Sequence, residues 1–206
     1  MYTHLCYASK PYHKRYGKHE YRGRIPNRVD ISERPDIVDR HERVGDWEAD
    51  TVIGKGHKGA FVTVAERKTR LYLALLIARK QAEVVKKAML KLLQPIADFV
   101  HTITYDNGRE FNQHQSVSNA LNCSGYFAKP YHSWERGLNE QSNGLLRRFF
   151  PKSRALDNVS LQETWEAIMK INNRPRKCLG YKTPVEDFNE MTQQNIEKLI
   201  RGALIT

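Results

Sequence analysis

The sequence predicts a mixed-sheet α/β domain, and three observations predict it. Three apolar, β-branched runs follow one another across short polar turns, the pattern of an antiparallel meander. Two further strand-like runs each follow a segment with helical spacing. Segments with helix-capping residues then close the chain. A meander followed by alternating helices and strands builds one sheet with antiparallel and parallel parts.

The first strand is Asp46 to Ile53, where Trp47, Ala49, Thr51 and Ile53 alternate with Asp46, Glu48 and Asp50. Apolar residues at both ends suit a central strand. Gly54 to Gly59 is a turn, and Ala60–Ala65 and Leu71–Ile77 complete the meander. From Gln81 to Phe99, Val84, Ala88, Leu92 and Ile96 recur every fourth residue, which predicts a helix with Pro95 late in the run. His101 to Tyr105 reads as a strand, Ser116 to Leu121 as a short helix and Gly125 to Lys129 as a strand. Ser133 is placed to cap a helix from Trp134 to Phe150, and Ser160 another reaching Asn172. Residues 1–44 differ, reading as a basic arm, with 45–190 as the core and 191–206 as a helical tail. Between Lys10 and Arg28 seven basic residues accompany one acid, Glu20, with Tyr12, Tyr16 and Tyr21 among them. Such an arm suits a nucleic-acid backbone, with tyrosines available to stack; it is equally the composition of a solvated leader.

Lys and Arg number 34 against 23 Asp and Glu, a formal charge of +11. That excess favours a polyanion, because each cation that meets a phosphate releases a counterion. The three cysteines, Cys6, Cys123 and Cys178, show neither zinc spacing nor a disulfide framework, which suits a cytoplasmic protein. No apolar run approaches the roughly 20 residues of a membrane span, so no membrane partner is expected. The eight histidines are dispersed, and no H-E-x-x-H, G-x-S-x-G, Walker or dinucleotide glycine motif is present.

Three carboxylates stand out instead. Asp50 shares a strand face with Glu48, and the strand pattern alone does not choose between them. Asp106 ends a strand, where α/β sheets tend to form binding sites, although Asp-Asn-Gly is also a turn sequence whose carboxylate satisfies local amides. On the helix carrying Glu140, a step of about 100° per residue puts Arg136, Asn143, Gly144 and Arg147 within about 60° of the acid. Leu138, Ser142, Leu145 and Phe149 fall opposite, so the leucines and Phe149 are expected to face the core. Three acids from separate elements can converge on a pair of hard divalent cations.

GDWEADTVIGKGHKGAFVTVAERKTR, TYDNGREF, KPYHSWERGLNEQSNGLLRRFFPK and NNRPRKCLGYKTPVEDF occur in that order. Together they resemble the catalytic core of bacterial insertion-sequence transposases of the IS-thirty kind, members of the integrase and transposase superfamily. The resemblance covers roughly Arg24 to Phe188. It implies a ribonuclease-H-like fold, a mixed five-stranded sheet with three antiparallel strands then two parallel, flanked by helices. It also implies Asp50, rather than Glu48, as first acid, with Asp106 second and Glu140 third, the last interval being similar to the family's.

The mechanism implied by the resemblance is that of a DDE-type transposase. Two Mg²⁺ (or Mn²⁺) ions held by Asp50, Asp106 and Glu140 activate water to nick DNA at the element's inverted-repeat ends. The freed 3′ hydroxyl then attacks target DNA, with no nucleotide cofactor. Arg136, Asn143 and Arg147 are candidates for holding phosphates from Glu140's face. Lys55, Lys58 and Asn107 are further DNA-contact candidates. A homo-oligomer on DNA, associated with the nucleoid, is the expected assembly. Met1 stands close before Asp50 and no helix-turn-helix pattern precedes it, so the chain resembles a catalytic core without the family's end-binding region. Two other classes fit the same residues: a truncated, non-catalytic DNA-binding regulator of a full-length transposase, and a metal-dependent nuclease of the same fold.

Overall fold

A computed structural model describes residues 25–129 and 137–205, with side chains to residue 202. Most of the basic arm, Ser133, Trp134, and the candidate Arg136 lie outside the described residues.

The meander forms as expected. β1 (Asp46–Ile53), β2 (Ala60–Glu66) and β3 (Tyr72–Ile77) pair antiparallel in sequence order. β4 (Thr102–Tyr105) then adds parallel to β1, and β5 (Ser124–Phe127) parallel to β4, giving the order β3-β2-β1-β4-β5. β1 is therefore central. Its alternation divides between two cores, one on each face of the sheet. Trp47 and Ala49 belong to the first, with Val62, Val64, Leu73 and Ile103. That face is covered by α2 (Ala82–Leu93), whose Val85, Ala88, Met89, Leu92 and Leu93 are buried, and by α3 (His114–Leu121). The opposite face, with Val52, Phe61 and Ala65, is covered by α4 (Gly137–Phe149) and α5 (Leu161–Asn172). Covering both faces largely excludes water from β2, β3 and β4, while the edge strand β5 stays partly exposed.

Several sequence expectations change in detail. The helix expected over Gln81–Phe99 leaves α geometry after Leu93 and continues as a 3₁₀ segment, Gln94–Phe99. Pro95 explains the break, since proline lacks the N–H that would continue the ladder and its ring crowds the preceding turn. The short helix begins earlier than expected, at His114, and β5 begins and ends earlier, at Ser124 and Phe127. Ser160 caps α5 as expected, its hydroxyl accepting from the Glu163 amide. α6 (Pro184–Thr192) starts with a reciprocal bond pair between Thr183 and Glu186, and α7 (Ile196–Ile205) returns Ile196 and Ile200 to the first core.

Residues ahead of β1 join the sheet through polar contacts. The Phe127 amide donates to the Val29 carbonyl at 2.9 Å, and α1 (Asp36–Arg40) sets buried Val38 beneath the β2–β3 turn. That turn is organised by Glu66, which is fully buried. Its carboxylate accepts from the amides of Gly45, Lys68 and Thr69 and from the Thr69 hydroxyl. Burial raises its pKa and these bonds oppose the rise.

Gly45 has φ +109°, and a Cβ there would meet His101 Cδ2 at 2.7 Å and the Phe99 carbonyl oxygen at 3.0 Å. Gly45→Ala therefore adds backbone strain and a clash with main chain that cannot swing away. We expect a loss of about 2 kcal/mol, or a Tm about 6 °C lower by calorimetry. An unchanged Tm would refute this account of the β1 entry.

Candidate active site

The even-numbered face of β1 carries Asp46, Glu48 and Asp50, and the structure treats the three differently. Asp46 is buried and accepts from Arg43 through both carboxylate oxygens at 2.9 Å, and from the Thr102 hydroxyl at 2.8 Å. Glu48 is buried in an ion pair with Arg67 and accepts from the Asn139 amide of α4 at 3.0 Å. Asp50 is only half-buried, further along the strand. Its Oδ1 accepts from the Thr51 amide at 2.7 Å and its Oδ2 from Asn143 Nδ2 at 3.0 Å. The first two acids are thus committed to guanidinium partners inside the fold, as burial of a carboxylate requires.

Asp106 follows β4 and is also half-buried. Its Oδ1 accepts from the Gly108 amide at 2.8 Å, the local turn bond that Asp-Asn-Gly suggested. The turn does not exclude a place beside β1. The parallel register pairs Asp46 with Thr102 and Glu48 with Thr104, where the ladder ends; Asp50 and Asp106 each stand two residues beyond that last pair. Asp50 thus follows the part of β1 paired with β4, and Asp106 follows the last residue of β4, on neighbouring strands that run in the same direction.

Glu140 is exposed in the first turn of α4. The helix buries Leu138, Asn139, Ser142 and Leu146. Phe149, expected to face the core, is instead 36% exposed, and Leu145 is half-buried. Phe150, just beyond the helix, fills that place by packing on Phe61 with ring centroids 4.9 Å apart. The helix is held over β1 at two points, Asn139 to Glu48 and Asn143 to Asp50. A two-residue step on the strand matches a four-residue step on the helix, about 6.6 Å against about 6 Å. Among the described residues, no three His, Cys, Asp or Glu side chains are grouped to hold an ion. Asp50 and Asp106 stand on neighbouring parallel strands, and among the described residues Glu140 is not gathered with them into such a group.

The other candidates are scattered around this face. Lys55 and Lys58 are exposed in the β1–β2 connection. Asn107 donates to the Ala128 carbonyl at 2.6 Å and accepts from Arg28, which brings the start of the described chain to the Asp106 loop. Arg147 donates to the Ile53 carbonyl at 2.8 Å, and burial lowers its pKa. Asn143 spends its whole amide internally: beside its bond to Asp50, its Oδ1 accepts from the hydroxyls of Tyr72 at 2.7 Å and Thr63 at 3.2 Å.

Sequence reading missed Tyr72, Thr63 and Glu110. Glu110 is buried, pairs with Lys80 at 2.5 Å and accepts from Thr51 at 3.0 Å, linking the segments that follow Asp50 and Asp106. Strand alternation places Tyr72 and Thr63 on Asp50's face, a signal legible once the meander register is known.

The five-stranded order and its helical covering define a ribonuclease-H-like domain. Solved structures agree on the fold: the catalytic core domain of BIV integrase matches with a TM-score of 0.56 at 20% identity, over 73% of this chain and 97% of that one. A chain of the simian T-cell lymphotropic virus intasome matches with the same TM-score at 19% identity, over 69% of this chain and 53% of that one. No family model matches the sequence.

By sequence the chain is a relative of insertion-sequence transposases, the IS30 kind among them. It is 45% identical over 195 residues to the transposase for insertion sequence element IS4351 of Bacteroides fragilis, covering 95% of this chain and 60% of that protein. It is 34% identical over 163 residues to transposase InsI for element IS30C of Escherichia coli, covering 79% of this chain and 42% of that protein. The chain therefore spans about 60% or less of the length of these curated relatives. No helix of the described residues is long and apolar enough to cross a membrane.

Proposed function

We propose that this chain carries the catalytic core of a DNA transposase, which nicks DNA at element ends and transfers the 3′ hydroxyl into target DNA. The observation that carries the reading is the parallel pairing of β1 with β4, whose last pair, Glu48 with Thr104, stands two residues before Asp50 and Asp106, while α4, which bears Glu140, bonds to Asp50 through Asn143. Sequence similarity to insertion-sequence transposases supports the substrate class.

Three carboxylates are donors of the kind that Mg²⁺ and Mn²⁺ take, so the residues fit two such ions in kind. When bound there, the metals would supply Lewis acidity, sharpening the attacking oxygen and stabilising the leaving one. The protein's own groups orient the donors. Asn143 and the Thr51 amide hold the two oxygens of Asp50, and the Gly108 amide holds Oδ1 of Asp106. Glu140, exposed at the start of α4, is the donor that has to close on the pair. Lys55 and Lys58 are exposed cations available to phosphates, and by sequence Arg136 and the basic arm are further cations for the same polyanion. Asn143 and Arg147 serve chiefly to hold Asp50 and the end of β1, given their internal bonds. The working form is a homo-oligomer on DNA in the bacterial cytoplasm, without a nucleotide cofactor.

The test is incubation with labelled inverted-repeat DNA in Mg²⁺ or Mn²⁺, with Asp106→Asn alongside. Metal-dependent nicking followed by joining, lost in Asp106→Asn, is the expected result. Nicking without joining would instead identify a nuclease of this fold. Salt-sensitive binding with no cleavage would identify a DNA-binding regulator and overturn catalysis.

A further inference from the structure

A chain of buried polar groups runs from the edge of the sheet to Asp50. It begins at Asn172, the last residue of α5, which is almost fully buried. Its side chain takes both main-chain groups of Tyr72 on the edge strand β3: Oδ1 accepts from the Tyr72 amide at 2.9 Å, and Nδ2 donates to the Tyr72 carbonyl at 2.7 Å. With its backbone fixed, Tyr72 lies fully buried and directs its hydroxyl to Asn143 Oδ1 at 2.7 Å. Thr63, paired with Asp50 in the antiparallel register, stands 3.2 Å from both Asn143 Oδ1 and the Asp50 carbonyl, and its single hydroxyl proton serves one of the two at a time.

The proton arrangement follows from the acid at the end. An ionised carboxylate only accepts, so the Asn143 group facing Asp50 has to be its NH₂. The amide oxygen then faces Tyr72, and an amide oxygen only accepts, so the phenol has to donate. Only a protonated phenol completes the chain, and burial, with the Asp50 charge adding to it, raises the Tyr72 pKa well above its usual value. Reversing the Asn143 amide would place its oxygen against the carboxylate. Nothing about the packing of a benzyl ring requires this hydroxyl; a phenylalanine would fill the same volume.

We infer that Tyr72, through Asn143, is a positioning residue for the Asp50 carboxylate, setting its orientation before metal and DNA arrive. The inference rests on the reading of Asp50 as a metal-holding acid. The hydroxyl acts on the amide flip and the amide on the rotation of the carboxylate. Partners one step removed from a metal commonly change affinity by about 10- to 100-fold when lost.

The test is Mn²⁺ binding by calorimetry, without DNA, on the wild type, Tyr72→Phe, Asp50→Asn and the double variant. The expected result is Mn²⁺ binding about 10-fold weaker in Tyr72→Phe, with no further loss when Asp50 is already Asn. The side-chain ¹⁵N–¹H signals of Asn143, identified by their absence in Asn143→Asp, should move in metal-free Tyr72→Phe; a Tm change alone would not move them selectively. Thr63→Val supplies a second, smaller perturbation of the same amide, expected to weaken Mn²⁺ binding in the same direction. Unchanged affinity and unchanged Asn143 signals in Tyr72→Phe, with Asp50→Asn still weakening binding, would overturn the positioning role alone. Wild-type affinity in Asp50→Asn would overturn the site reading and this inference together.

Discussion

Asp50→Asn is expected to lower metal-dependent DNA cleavage about a thousandfold while leaving the fold intact. The estimate follows from losing several kcal/mol of charge stabilisation, at about 1.4 kcal/mol per factor of ten. The fold should survive because an asparagine keeps the shape of Asp50 and the acid is only half-buried. Glu48→Gln is the informative contrast. Its carboxylate is committed to Arg67 and to the Asn139 amide, so its replacement should lower Tm and leave residual cleavage well above that of Asp50→Asn. Cleavage assays of both variants, with Tm measured on the same preparations, check the pair. Equal cleavage by Asp50→Asn and wild type would remove Asp50 from the site.

Arg67→Met carries the largest stability effect we expect. The guanidinium pairs with Glu48, donates to the Val38 carbonyl at 3.1 Å and meets His41 Nε2 at 2.9 Å, so it joins α1 to the centre of the sheet. Removing it takes from buried Glu48 the guanidinium that pairs with it, and leaves the charge of Arg34 to offset only part of the loss. Breaking a buried pair in this way costs about 3–5 kcal/mol, which corresponds to a Tm about 10 °C lower for a chain of this size. The double variant Arg67→Met with Glu48→Gln should recover part of the loss, since no uncompensated charge then remains. Denaturant unfolding of the three proteins measures the coupling. A double variant no more stable than Arg67→Met would show that the charge on Glu48 is not the source of the cost.

These two expectations rest on a distinction that strand alternation alone could not draw. Asp46, Glu48 and Asp50 are equivalent by period, and the motif resemblance was needed to prefer Asp50. In the fold they differ by partner: Arg43 for Asp46, Arg67 for Glu48, and the Thr51 and Asn143 amides among those that meet Asp50. The guanidinium of Arg67 reaches Glu48 from the far end of β2, a pairing made only when the antiparallel register is closed. A similar limit applies to Phe149 and Phe150. Helix period placed Phe149 on the apolar stripe, but Phe149 is exposed and the residue after the helix, Phe150, packs on Phe61 of β2 instead.

Local pattern was sufficient for the meander, the central position of β1, the α5 cap at Ser160 and the exposure of Glu140, because each depends on period or on neighbours a few residues apart. The resemblance carried by the motifs extended this to the mixed five-stranded sheet and to the kinship with insertion-sequence transposases. Tertiary structure decided which groups are shared between distant segments. Tyr72 meets Asn143, Asn172 holds Tyr72, Lys80 meets Glu110, and Arg28 reaches Asn107. None of these pairs has a sequence signal, since side chains separated by tens of residues find one another only through strand register and helix packing. Asp50 and Asp106 show both halves of the problem: their residue types were legible along the chain, and the parallel pairing of β1 with β4 put them on neighbouring strands.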